Sequence, residues 1–223
     1  MSRVCFDYGH GGEDPGATYK GRRESDEVLQ IGQAVASEIR KHGVTVDETR
    51  TGNNTVSLYN RSAYENNNNY DYFVSFHRNA YEPEVANGVE VYTYTNCSNK
   101  AKELAKRTLS SLINVGFYNR GVKSANYYVL RATKAPAILI EIGFIDNSND
   151  NRIFDTKRNE IIAALSKAIL EQLGIVYSAP NNVVQDNNGA IYRVQVGAYR
   201  GKGNAEIMLN RLKNAGFEGY ISQ

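Results

Sequence analysis

Only three histidines, His10, His42 and His77, and two cysteines, Cys5 and Cys97, occur among the 223 residues, and tryptophan is absent. Cys-rich zinc ribbons and disulfide scaffolds are therefore excluded. Any metal or acid–base site must draw on the histidines and on carboxylates. His10 follows the apolar run RVCFDY, His77 follows YFVSF, and Glu141 lies late in AILIEIG. If those runs are strands of one open sheet, all three groups stand at or just past the carboxyl ends, where α/β sheets bind ligands. Two histidines meeting a carboxylate there make a natural catalytic zinc site, with three protein ligands and one position left for water. Glu24, after a glycine-rich loop and at a helix start, is the candidate third ligand. Water held in such a site has its pKa lowered to about 7.

The spacing is not H-E-x-x-H, so the ligands would come from separate elements. A histidine after a strand can equally be a hydrogen-bonded loop residue, and the pattern alone leaves both readings open. Glu141 stands between Ile140 and Ile142. Desolvation there should raise its pKa, and an unpaired carboxylate in so apolar a strand is costly, which favours function over a structural ion pair.

The elements that must position these groups alternate along the chain. Strand patterns cover Arg3–Tyr8, 44–48, 72–76, 88–95 and 137–142, the last being the most apolar and so expected at the sheet's centre. Helical spacing predicts helices over 27–42, 57–66, from an N-cap at Ser98 to about Val115, and over 159–173. This is an α/β fold: an open, mostly parallel twisted sheet flanked by helices. The interval between His77 and Glu141 reads as one strand and one helix, which leaves no room for an occluding helix. His42, at a helix end where a cation suits the dipole, reads as structural. A Cys5–Cys97 disulfide is conceivable, but two separate thiols are the simpler reading. The run 66–69 reads as a solvated loop.

Composition changes after residue 177. The Asn-rich stretch 178–190 reads as a linker. Beyond it, 191–199, 204–214 and 217–222 read as a single small βαβ unit, too short to bury an independent core. The net charge is +2, with five Lys/Arg against three Asp/Glu after residue 178, so the preceding body is neutral. A neutral body offers no field for nucleic acid. No run approaches the roughly 18 apolar residues of a membrane span. No secretory signal is evident near Met1, so the chain is expected to be made in the cytoplasm.

Four segments share a resemblance. G9-H10-G11-G12-E13-D14-P15-G16-A17, E24-S25-D26, S75-F76-H77-R78-N79-A80 and 129–150 (VLRATKAPAILIEIGFIDNSND) resemble, in order, motifs of the zinc-dependent N-acetylmuramoyl-L-alanine amidases, family 3. The resemblance implies that His10, Glu24 and His77 bind zinc and that Glu141 is the catalytic carboxylate. Val28 stands where the second motif usually has Asn, and Glu27 is a rival ligand to Glu24. Asn79 could orient water, donate to an oxyanion or cap a loop. Arg131 could pair with Glu141, meet a substrate carboxylate or form a structural ion pair.

Y192-R193-V194-Q195-V196-G197-A198-Y199, N204-A205-E206 and L212-K213-N214-A215-G216-F217 resemble the first half of a SPOR domain, a module that binds peptidoglycan. The expectation is a peptidoglycan hydrolase that cuts between N-acetylmuramic acid and L-alanine, an endolysin or a lytic autolysin acting at the cell wall. The alternatives are a non-catalytic wall-binding protein, or a zinc peptidase or deacetylase cutting another wall bond. The half unit's unpaired strands suggest a homodimer.

Overall fold

Alternate side chains of each central strand enter different environments, and this two-residue period organises the fold. Residues 2–178, 196–214 and 219–222 are described in the computed structural model. Contacts divide the chain into two units, Met1–Ala179 and Pro180–Gln223. In the first unit β1 (Arg3–Tyr8) is joined by two parallel partners. The hairpin strands β2 (Thr18–Tyr19) and β3 (Arg22–Arg23) pair only with each other. β4 (Thr45–Glu48) and β5 (Tyr72–Asn79) flank β1. β6 (Val89–Thr93) and β7 (Asn119–Ser124) are parallel to each other, and β8 (Ala137–Phe144) lies between β5 and β6. The sheet order is β4-β1-β5-β8-β6-β7, all parallel except that β6 runs antiparallel to β8.

One face of the sheet carries the larger core. Val4, Phe6, Val74, Phe76, Ile138, Ile140 and Ile142 are fully buried there. They pack with apolar residues of α1 (Glu24–Arg40), α3 (Asn99–Val115) and α6 (Arg158–Gln172). Each such side chain contributes about 1.5–3 kcal/mol on burial. The alternate residues Cys5, Phe73, Ala137 and Leu139 form a second, thinner cluster with Val129 and Leu130. These last two belong to α4 (Tyr128–Arg131), a single turn that touches α2 (Leu58–Asn66). Continuing the series 73, 75, 77 and 137, 139, 141 brings His77 and Glu141 to this thinner face. There they are direct register partners.

The boundaries shift in ways that matter. β5 runs on to Asn79, so His77 lies inside a strand rather than after it, and β8 continues past the expected 142 to Phe144, with Glu141 inside it as expected. α1 begins at Glu24, three residues before the helix expected at 27. Its first turn holds Glu24, Asp26 and Glu27, acidic residues that suit a helix N-terminus but add nothing to an apolar stripe. The interval between His77 and Glu141 holds two strands and two helices, not one of each. β7 (NRGVKS) is a sheet-edge strand with no residue fully buried, so it lacks an apolar alternation. The helix expected at 159–173 is α6, and a further helix not read from the sequence, α5 (Ser148–Thr156), precedes it, the two meeting at Lys157. Ser98 caps α3 as expected, its Oγ accepting from the Ala101 N–H.

Among the described residues no helix is long and apolar enough to cross a membrane. In the second unit α7 (Lys202–Asn214) covers the expected helix. The strands expected at 191–199 and 217–222 fall partly outside the described residues, and 196–199 and 219–222 carry no regular element.

Candidate metal centre and active site

Three segments, the loop after β1, the first turn of α1 and β5, deliver three ligand atoms to one place. His10 and Glu24 approach each other at 3.1 Å (Nε2 to Oε2), and His77 and Glu24 at 2.9 Å (Nδ1 to Oε1). The three ligand atoms lie within 4.8 Å of one another. Tetrahedral zinc, bonded at about 2.0–2.2 Å, needs ligands roughly 3.4 Å apart. The cluster fits after a small adjustment. Glu24 is fixed from outside by the Ala17 and Arg78 amides, at 3.0 Å each. The outer nitrogen of His10, Nδ1, pairs with Asp14 at 2.8 Å. That is the carboxylate–imidazole arrangement that orients metal-binding histidines.

Electrostatics support the fit. Burial opposes charge on both imidazoles, but the Glu24 carboxylate outweighs it. His10 is lifted to about 9 and His77 above its ordinary value. Burial likewise pushes Glu24 up, yet the two imidazoles carry it well below the usual carboxylate range. A buried carboxylate that draws two imidazoles toward their protonated forms is a site where a divalent cation can take the protons' place.

The loop that presents His10 is strained and heavily braced. His10 has φ +60°, the left-handed region, which costs a non-glycine residue about 1–3 kcal/mol unless its surroundings impose it. Two buried arginines impose it. Arg61 donates to the Tyr8 and His10 carbonyls at 2.6 and 2.7 Å, and to Asp7 Oδ1 at 2.8 Å. Arg50 donates to the carbonyls of Tyr8, Gly9 and Ser25 at 2.7–2.8 Å. Asp7 also accepts from the hydroxyls of Thr49 and Ser75. Burial pushes its carboxyl up, but the Arg61 charge and these hydrogen bonds together hold it below its ordinary value.

Gly9 is required by close approach. A Cβ there would stand 2.2 Å from Cε1 of His77 and 2.5 Å from its Nε2. Gly9→Ala should therefore displace the imidazole, weakening metal uptake by at least tenfold in a competitive chelator titration. Unchanged uptake would show that the ring has room to move.

Beside the cluster runs a row of carboxylates. Glu141 on β8 pairs in register with His77 on one side and Glu90 of β6 on the other. Glu141 Oε2 is buried with no hydrogen-bond partner among the described residues. Burial raises its pKa to about 7, with the nearby His77 pulling the other way. Glu90 is the opposite case, 2% exposed and fully satisfied. Its Oε1 accepts from Asn79 and Tyr92 at 2.7 Å each, and its Oε2 from Arg120 at 2.8 Å and from Lys123.

The remaining sequence candidates separate cleanly. Glu27 lies apart from the cluster and pairs with Arg22 and Arg78. Asn79 donates to Glu90, and its Oδ1 accepts from the Ala80 N–H. Arg131 does not pair with Glu141. It donates to Asn126 at 2.7 Å and lies over the Tyr128 ring. His42 bonds Glu38 and Ser178 and stacks on Tyr177, a structural role. Both cysteines are free. Asn66 is no loop residue; it ends α2 and links to Ala132 and Lys134. Glu90, Arg120, Lys123, Arg50 and Arg61 escape the sequence reading. The faint signal was Glu90, a lone acid in an apolar strand.

Comparison with known proteins fits this geometry. The N-acetylmuramoyl-L-alanine amidase family profile matches residues 4–171. The SPOR domain profile matches 162–223. The SPOR match begins inside α6, whose Leu165 and Ile169 are buried in the amidase core. A sporulation-specific N-acetylmuramoyl-L-alanine amidase of Bacillus subtilis is 32% identical over 99% of this chain and 84% of its own length. The amidase CwlM of Bacillus licheniformis is 32% identical over 99% and 85%. The crystal structure of an N-acetylmuramoyl-L-alanine amidase from Clostridium difficile 630 superposes with a TM-score of 0.74 at 32% identity. The match covers 78% of this chain and 97% of that one. On sequence, fold and family profile alike, the chain belongs to the N-acetylmuramoyl-L-alanine amidase family.

Proposed function

We propose that this peptidoglycan amidase works with zinc held by His10, Glu24 and His77, and with Glu141 as its proton carrier. The observation that carries the reading is the pairing of a three-ligand cluster with an unpartnered buried carboxylate oxygen one strand away. A divalent cation there supplies Lewis acidity and eases deprotonation of water at neutral pH. Glu141 Oε2 takes the proton from the attacking water as the new C–O bond forms. It returns that proton to the L-alanyl nitrogen as the C–N bond breaks, leaving a lactyl carboxylate and a free amine. A carboxyl poised near 7 both accepts and gives back a proton at neutral pH. Glu24, anchored by two backbone amides, sets the spacing of the two imidazoles.

The unit at 191–223, reached through the linker 178–190 from the catalytic domain at 1–177, serves as wall-binding tail. Its role in the cell is lytic, as an endolysin or an autolysin. Pairing of two tails would complete the half SPOR unit, and a monomeric mass in solution scattering would rule that out. Asn79 and Arg131 are the weaker substrate contacts on this reading.

The decisive experiment measures metal content in wild type and His77→Ala alongside lysis of purified walls. Wild type should hold close to one zinc per chain and release new L-alanine amino termini, and the variant should do neither. Full metal content in His77→Ala, or lysis by the chelator-stripped chain, would overturn the assignment.

A further inference from the structure

Glu90 is too well satisfied to react, yet it holds more positive charge than it needs. One carboxylate is balanced by one cation; here both Arg120 and Lys123 close on the same Oε2. The network thus carries a surplus positive charge, on side chains 29% and 38% exposed. Both heads are fixed rather than free to swing. The Arg120 guanidinium also lies over the Phe144 ring at 4.8 Å and donates to the Asn87 carbonyl. Lys123 Nζ stands over the Tyr92 ring. Among the described residues Arg120 Nη2 has no partner, and Lys123 uses one of its three N–H donors in a hydrogen bond. Fixed, half-exposed donors with a surplus charge are preorganised for an anion.

We propose that Arg120 and Lys123, pinned by Glu90 beside Glu141, form a subsite for a carboxylate of the stem peptide. The proposal rests on the amidase reading above and goes beyond it to specificity. Glu90 is the register partner of Glu141, and its cations rise from β7 on the far side of β6, so they lie between about one and two strand spacings, ~4.8–10 Å, from the proton carrier. A carboxylate on the second stem residue, up to two extended residues at ~3.3–3.6 Å each from the bond being cut, falls within that span. The muramic acid side offers no ionised group, because its lactyl carboxyl is tied up in the scissile amide. The anion must therefore come from the amine side. Where the second stem residue is γ-linked glutamate, its free α-carboxylate is the first charge reached. In walls where that group is amidated, the same position is neutral. The subsite therefore distinguishes two wall chemistries.

The test uses the metal-loaded full chain on two uncrosslinked peptidoglycan polymers, differing only in a free α-carboxylate or an α-carboxamide on the second residue. Release of new amino termini gives kcat/KM for each. Wild type should favour the acid form by about tenfold, mostly through KM, as expected for a charge-assisted contact discounted for partial exposure. Lys123→Gln and Arg120→Gln should each pull that ratio toward one, and Lys123→Arg should keep it. A wild-type ratio near one would overturn the subsite whatever the variants' stability. So would an unchanged ratio in folded, metal-loaded Lys123→Gln. Cleavage of neither polymer by wild type would instead bring down the amidase chemistry, and the subsite with it.

Discussion

Glu141→Gln should lower hydrolysis of cell walls by about 10²- to 10⁴-fold, the range that a positioned acid–base group supplies. Glutamine keeps the shape and loses the exchangeable proton. The substitution is nearly isosteric in β8, and it replaces a desolvated carboxyl whose Oε2 has no partner. Folding should not suffer, because burying an unpaired ionisable group costs stability rather than adding to it. Melting temperature should hold or rise. Zinc content should also hold, since Glu141 is not among the three clustered ligands. The pH dependence follows from the same environment. Burial lifts Glu141 to about 7, and a divalent cation nearby pulls it back down. Since only the ionised form accepts a proton from water, kcat/KM should fall as pH drops through a midpoint at or below about 7. The variant should lack that limb. Lysis retained in Glu141→Gln would remove the residue from the mechanism. Loss of activity together with loss of zinc would make it a ligand instead.

Asp7→Asn should destabilise the domain by about 3–5 kcal/mol, the cost of stripping a partner from a buried ion pair. At this size that lowers the melting temperature by on the order of 10 °C. Asp7 is 1% exposed and Arg61 3%, so the guanidinium left behind has no water to turn to. Because the folded carboxyl sits below its unfolded value of about 3.9, its contribution is complete above that pH. It is lost as pH falls from there through the lower folded pKa. Wild type should therefore lose stability on acidification below about pH 4 more steeply than Asp7→Asn does. Arg61→Met should cost a similar amount, and the double variant less than the sum, because each single change orphans the other partner. Additive losses, or a melting shift of only a degree or two for Asp7→Asn, would show that the pair is dispensable.

What the sequence discloses and what it withholds divide along a physical line. Ser98, His77 and Glu141 were legible because local rules act on them: a capping hydroxyl before a helix, a polar residue after an apolar run, or a lone carboxylate inside one. The unbroken apolar run 137–142 likewise put Ile138, Ile140 and Ile142 in a central strand buried on both faces. Glu90, Arg120 and Lys123 were not legible, because they meet only through the registers of β8 with β6 and of β6 with β7. No local pattern shows that β6 runs antiparallel to β8 in an otherwise parallel sheet. Nothing local marks Arg50 and Arg61 as buried, because their burial depends on carbonyls of a loop about 40–50 residues earlier. The choice between Glu24 and Glu27 was equally closed to spacing. One helical turn of the chain carries both, and only the position of Arg22 and Arg78 draws Glu27 away.

The bracing of the His10 loop has a consequence for time rather than affinity. Arg61 reaches that loop from α2, and Arg50 reaches it from the segment following β4. The loop cannot swing aside by itself; α2 must loosen first, breaking the Arg61 contacts to Asp7, Tyr8 and His10 together. Amide hydrogens such as those of Gly9 and Gly11, which donate to Phe76 and Asp14, should then exchange only through that larger opening. A bound ion would leave at the same slow rate, so the enzyme would hold its metal through dilution and brief contact with chelator. Arg61→Met should shorten that residence time before it changes the equilibrium occupancy.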